Sequence, residues 1–316
     1  MGATGFPGGI TSPSIGGGWT AVPGEVFYVG NRSGLPSSNG KDSKHPFSTL
    51  NAALAKTVSN RGDAIRVLPG HIEDISTADQ MTNLKAGTLI EGFGWGDMRG
   101  ILRWSAAGAT FLLDVAGVTI RNLRMQWAGN PAATAALTVA APITVSGTGC
   151  RIAECDIDCG VDADQIITCG LAVGAAGFIF EDNTVHGATA AEITAAGTVI
   201  RLAAADRCII RRNHISAALA TDTDGVIETL TTASLDINIS NNLIYSNGSG
   251  STCALDLGQA LACTGFLMDN QLVVDADGTA QTVVLTVSAT ANMAGERNFA
   301  VSNNNERGLV CLTATT

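Results

Sequence analysis

The sequence predicts an all-β fold: a right-handed parallel β-helix solenoid with a short N-terminal capping helix and an extended N-terminal arm. Three observations predict it. First, one short pattern (apolar, any, apolar, two polar, amide, any, apolar) returns seven times between Val118 and Glu306. Second, the markers Ile120, Ile152, Phe180, Ile210, Ile239, Met268 and Val301 stand 32, 28, 30, 29, 29 and 33 residues apart. Third, another apolar stretch lies between copies, as in Gln165-Ile-Ile-Thr168 and Thr198-Val-Ile-Arg201. A period near this length marks a solenoid, whose repeats bury their apolar residues only by stacking on neighbours.

In chain order, residues 1–24 hold eight Gly and three Pro with almost no apolar periodicity, so they cannot build a core. They read as an extended arm, with Phe6, Ile10 and Trp19 as apolar handholds; a plain disordered start is the alternative. Residues 25–64 read as a cap. Val26-Phe-Tyr-Val29 is a strand, and a helix follows Pro46, with Ser48 or Thr49 as N-cap and Leu50, Ala53, Leu54 and Val58 on one face. Residues 65–316 are the β-helix, its first rungs supplied by Ile65-Arg-Val-Leu68 and Thr88-Leu-Ile-Glu91. A solenoid end needs cover, which the cap helix can give; the last rung must be covered by the final segment or by a partner.

Within each copy, apolar residues two apart share one strand face. The first column reads Val118, Cys150, Phe178, Cys208, Ile237, Phe266, Phe299, and the marker column follows two residues later. A third reads Met125, Ile157, Val185, Ile215, Ile244, Val273 and breaks at Glu306. Each copy is a strand, a sharp bend and a second strand. The bend column reads Leu123, Cys155, Asn183, Asn213, Asn242, Gln271, Asn304. An amide there tolerates a left-handed backbone and can bond the next amide, so Asn183, Asn213, Asn242, Gln271 and Asn304 are expected to form a ladder.

Composition narrows the function. Charged residues are 15% and aromatics 5%, mean hydropathy is +0.24 and net charge is −10. So little charge implies an outer surface shared with a partner, and the negative sign argues against nucleic acid. No apolar run is long enough for a membrane helix, and no secretory or myristoylation pattern opens the chain. The cysteines lack zinc-site spacing; Cys150 and Cys208, two rungs apart, are about 10 Å from each other and too far to bond. They read as buried free thiols, which fits assembly in a reducing cytoplasm.

Tyr28-Val-Gly with its Gly/Ser/Asp loop, His45-Pro-Phe-Ser-Thr-Leu-Asn-Ala-Ala-Leu54 and Gly62-Asp-Ala-Ile-Arg-Val-Leu-Pro-Gly70 resemble the opening segment of pectate-lyase-like β-helix proteins of bacteriophages. Val118-Thr-Ile-Arg-Asn-Leu and Cys208-Ile-Ile-Arg-Arg-Asn are similar to rungs of that superfamily. The resemblance implies the fold. For activity it leaves open tail spikes that cleave surface polysaccharide and catalytically silent, trimeric decorations of phage heads.

Glycoside cleavage needs two carboxylates in an open groove. The candidates are Glu154, Asp156, Asp158, Glu181 and Asp182. Glu181 and Asp182 stand one rung from Arg211 and Arg212, which reads as ion pairing. Asp156 and Asp158, facing Thr184 and His186 one rung on, are the best catalytic set, although pairing and solvation would explain them equally. Few aromatics are available to hold sugar, no acidic cluster stands beside an outward lysine, and Gly92-Phe-Gly-Trp-Gly96 misses the dinucleotide spacing. The expectation is therefore a non-enzymatic virion protein with no catalytic, cofactor or metal residues. It would be a homotrimeric head decoration on the phage head surface, held to the major capsid protein by Phe6, Ile10 and Trp19, with neither nucleic acid nor membrane as partner. The Ala-rich stretch Ala132–Ala141 would let neighbouring rods approach. The alternatives are a tail-spike-like polysaccharide-cleaving enzyme or a glycan-binding module for the host surface.

Overall fold

The computed structural model describes residues 23–31, 38–129, 136–160, 165–187, 193–218, 225–230, 232–247, 253–258, 263–275, 285–287, 292–302 and 307–310. They form a three-sided solenoid of parallel strands. The first and third sheets have ten strands each and the second has eight. The first runs from Val26–Val29 through Ala64–Val67, Leu89–Gly92 and four further rungs to Ile237–Ser240, Thr264–Met268 and Asn292–Glu296, paired in parallel throughout. Each rung crosses a sharp corner into the third sheet, as Arg151–Ala153 does into Asp156–Asp158, and returns through the second.

The core is the set of inward columns. Val118, Cys150, Phe178, Cys208 and Ile237 are buried in register, as are Ile120, Ile152, Phe180, Ile210 and Ile239. Each large side chain removed from water contributes about 1.5–3 kcal/mol. Trp104 and Trp127 are fully buried as well. Trp127 occupies the space above Gly170 on the second sheet, where a Cβ would stand 2.1 Å from its ring. Glycine is needed there for close approach.

The corner holds the densest bonding. Asn183, Asn213, Asn242, Asn270 and Asn298 stack in one column and are all buried. The backbone N–H of Asn183 donates to Asn213 Oδ1 at 3.0 Å, that of Asn213 to Asn242 Oδ1 at 3.0 Å, and those of Asn242 and Asn270 to the next Oδ1 at 3.1 Å. Each side-chain amide also reaches that oxygen and, with its other hydrogen, a strand carbonyl such as Phe180 O or Ile210 O. Cys155 N–H starts the column by donating to Asn183 Oδ1 at 2.9 Å.

Three sequence expectations are corrected here. The fourth amide of the bend column is Asn270 rather than Gln271, because Ile239 pairs with Leu267 and the sixth copy sits one residue earlier. Phe266 is consequently exposed, Leu267 is buried, and Leu272 replaces Val273 in the third column. Asn298 closes the ladder, while Asn304 lies outside the described residues. Phe299 and Val301 belong to the third sheet, pairing with Gln271 and Val273, and the last strand of the first sheet is Asn292–Glu296. Finally, the left-handed backbone at the corner falls on the residue before each bend-column residue, Leu123 and Cys155 as well as the five amides. Asn122, Glu154, Asp182, Arg212, Asn241, Asp269 and Arg297 have φ between +52° and +57°. That turn frees the following Asn to point inward.

At the N-terminal end, the helix is Leu50–Leu54, capped by the Thr49 side chain, which accepts from Ala52 N–H at 3.2 Å. Leu50, Ala53 and Leu54 are buried; Val58 lies beyond the helix and is exposed. The Leu50 N–H donates to the buried Glu73 carboxylate, which also bonds His71 Nε2, each at 2.9 Å. At the other end, Arg307–Val310 lies antiparallel on Asn298–Ser302. Arm residues Phe6, Ile10 and Trp19, and residues 132–135 of the Ala-rich stretch, lie outside the described residues.

Candidate active site

The outer face of the first sheet and its corner is occupied by ion pairs. Glu181 is nearly buried, which works to raise its pKa; Arg211 and Arg151 override this and hold the carboxyl below its ordinary value. Arg211 Nε, Arg151 Nε and Arg212 Nη2 donate to it at 2.6, 2.7 and 2.8 Å. Asp182 takes both arms of Arg212 at 2.8 and 2.6 Å, and Arg121 Nε reaches Glu154 at 2.9 Å. Three of the five candidate carboxylates are thus held by guanidinium groups, leaving no free oxygen pair for a substrate's proton.

The other two differ. Asp156–Asp158 is a strand of the third sheet, and alternation sends Ile157 into the core and both aspartates outward. In register, Asp156 faces Thr184 on one side and Arg124 on the other, while Asp158 faces His186 and Gln126. His186 leans diagonally, and its Nε2 lies 2.9 Å from Asp156 Oδ1. That hydrogen bond is the main cause that holds Asp156 below the ordinary carboxylate value, and it likewise raises His186. Asp158 is only 7% exposed, and desolvation pushes its pKa up, with the Gly160 N–H at 3.2 Å as its hydrogen-bond donor. The pKa values of two carboxyl groups on one strand face are thus shifted in opposite directions, with the His186 imidazole on the next rung bonded to one of them.

Arg124 was missed by sequence reasoning, although the first aligned copy, with Leu123 and Met125 in its columns, already places it opposite Asp156. Its Nη1 donates to Asp97 Oδ1 at 2.9 Å, which ties the loop after Gly92 to this face. Trp95, on that loop, is 81% exposed. The seven cysteines among the described residues are buried free thiols; burial pushes Cys155, Cys169 and Cys208 up to about 12. Among the described residues, no group of three His, Cys, Asp or Glu is placed to hold a metal, and no helix is long and apolar enough to cross a membrane.

No protein-family description matches the chain, and no curated protein does. Among solved structures it is similar to the GH136 lacto-N-biosidase from Eubacterium ramulus. The selenomethionine derivative gives a TM-score of 0.32 at 9% identity, over 87% of this chain and 67% of that one. The native protein gives 0.29 at 10%, over 87% and 68%. The alginate lyase from Paenibacillus sp. str. FPU-7 gives 0.34 at 14%, over 79% and 92%. Both proteins are enzymes. The expectation of a catalytically silent protein finds no support among these neighbours and is withdrawn.

Proposed function

We propose that the chain is a polysaccharide-cleaving enzyme that works by general acid–base catalysis on the outer face of its third sheet. The observation that carries this reading is the placement of Asp156 and Asp158 two residues apart on one strand face, one bonded to His186 and the other nearly buried, which shifts their pKa values in opposite directions. Environments that push paired carboxyl groups apart assign the acid and the base. Asp158, desolvated and proton-bearing, donates to the glycosidic oxygen as the bond to the anomeric carbon breaks. Asp156, ionised and oriented by His186, takes a proton from the water that attacks that carbon. Side chains two residues apart stand roughly 6.5–7 Å from each other, which leaves room for a water between carboxyl groups, the arrangement of inverting glycosidases.

Host-surface polysaccharides come first among the substrates to try, because the opening segment resembles phage proteins that include tail spikes. The test is release of reducing ends from purified capsule or lipopolysaccharide by the full chain, measured with wild type, Asp156→Asn and Asp158→Asn. The expected result is cleavage by the wild type and a loss of 100-fold or more in each variant, on the order of general acid–base contributions. Equal cleavage by all three, or none by the wild type across both polysaccharides, overturns the reading.

A further inference from the structure

The geometry points to a second part of this site: Trp95 and Arg99 form a subsite that binds a glycan ring bearing an anionic group, two rungs from Asp156. This deepens the acid–base reading and rests on it. Single exposed apolar side chains are ordinary on protein surfaces. Trp95 differs because its loop is pinned rather than loose. Asn122 Nδ2 donates to Gly92 O at 2.8 Å and to Gly94 O at 3.1 Å, and Asp97 holds Arg124. A short 3-10 turn, Gly96–Met98, closes with Met98 N–H on Trp95 O at 3.2 Å. A rigid backbone therefore presents an indole face to solvent, with Met98 also exposed beside it.

Position gives the loop its meaning. It leads from Leu89–Gly92 into Ile101–Trp104, and Ile101 pairs with Arg124, which pairs with Asp156. Two rungs correspond to roughly 10 Å, the reach of about two sugar rings. Arg99 follows the turn between them. Its charge acts on Asp156, its buried Nε has no hydrogen-bond partner, and no ion pair among the described residues involves it. By contrast, Arg103, Arg121 and Arg124 are each matched to a carboxylate. An unmatched guanidinium and an exposed aromatic at the two ends of one short turn suit a sugar ring that stacks through its C–H surface and offers a carboxylate or sulfate to the fork.

The test is calorimetric titration of the full chain carrying Asp158→Asn, which prevents turnover. The probes are the hexamers of galacturonate and of alginate, with maltohexaose and cellohexaose as neutral controls. The expected result is binding of at least one anionic hexamer, with neither neutral hexamer bound as tightly. Adding Trp95→Ala should weaken it roughly tenfold, as loss of one stacking contact does, Trp95→Phe should restore most of it, and Arg99→Gln should remove the preference for the anionic hexamers. Binding of no anionic hexamer, equal binding of neutral ones, or an unchanged Kd in Trp95→Ala overturns the subsite. The two readings fail separately. If the hexamer binds in this way but the wild type cleaves nothing, the subsite stands and the acid–base reading falls. If the wild type cleaves while Trp95→Ala leaves Kd and KM unchanged, the reverse holds.

Discussion

Asn213 uses one oxygen of Asn242 twice: its backbone N–H and its side-chain amide both donate to Asn242 Oδ1, each at 3.0 Å. The motif repeats from rung to rung, so each amide satisfies two donors and one strand carbonyl of the preceding rung and donates to the amide oxygen of the next. Buried polar groups at a corner would otherwise be orphaned.

Replacing Asn213 with Leu should therefore destabilise the protein by about 1–3 kcal/mol, since the Asn183 donors and Phe180 O lose their partner in a buried site. Gln271→Leu, at an exposed position outside the ladder, should stay within about 0.5 kcal/mol. Urea unfolding of the two variants checks both, and equal midpoints would count against the ladder.

Gly149 isolates the cost of the second corner, ahead of the first sheet. Its φ is +66° and a Cβ there would meet no atom within 4 Å, so Gly149→Ala adds backbone strain without a clash. The expected loss is about 1 kcal/mol after the entropy gained from the stiffer unfolded chain. Arg207, in the same column two rungs on at φ +53°, should respond in the opposite sense when changed to Gly. Thermal melts of the two variants should move in opposite directions.

Asp158 sets function against stability. Its folded pKa lies above its unfolded one, chiefly through desolvation. The group therefore weakens the fold above the folded value, and that penalty vanishes below the unfolded value of about 3.9. Asp158→Asn should accordingly gain stability relative to wild type at pH 7 and lose that gain near pH 3, while activity disappears. Melting temperatures of both proteins at the two pH values decide it.

Activity should follow a bell-shaped pH profile with an acidic optimum. Protonation of Asp156, held low by its bond to His186, sets the acid limb; ionisation of Asp158, held high by burial, sets the other. His186→Gln removes the main cause of the first shift and also the charge that draws Asp158 down, so both limbs should move to higher pH. The pH dependence of kcat/KM in the two proteins is the measurement.

Most of the fold was legible because the repeat is one chain reporting the same geometry many times. Where it slipped, the cause is local. Phe266-Leu-Met268 offers three apolar residues in a row, and Asn270-Gln271 two amides, so both registers fit; a one-residue slip then exchanges inner and outer faces. The strand Asn292–Glu296 has one large apolar side chain, Met293, and was invisible beside the stronger Phe299-Ala-Val301 pattern of the next sheet. In the site, Asp156, Asp158 and His186 could be grouped because rung pairing fixes neighbours 28–30 residues apart. Trp95 and Arg99 could not, because their placement depends on an eight-residue connection, Phe93–Gly100, longer than the corner of the other described rungs.

The ladder also works as a ruler. From Cys155 to Asn298 its members are 28, 30, 29, 28 and 28 residues apart, and in each rung a single left-handed residue precedes the amide. Differences in rung length must then be taken up away from this corner. One edge of the rod is therefore closed to insertion, since a single added residue between Ile210 and Asn213 would displace every donor that follows. The returning side can lengthen or shorten rung by rung, so new loops can be written there, by evolution or by design, while the first and third sheets keep their alignment.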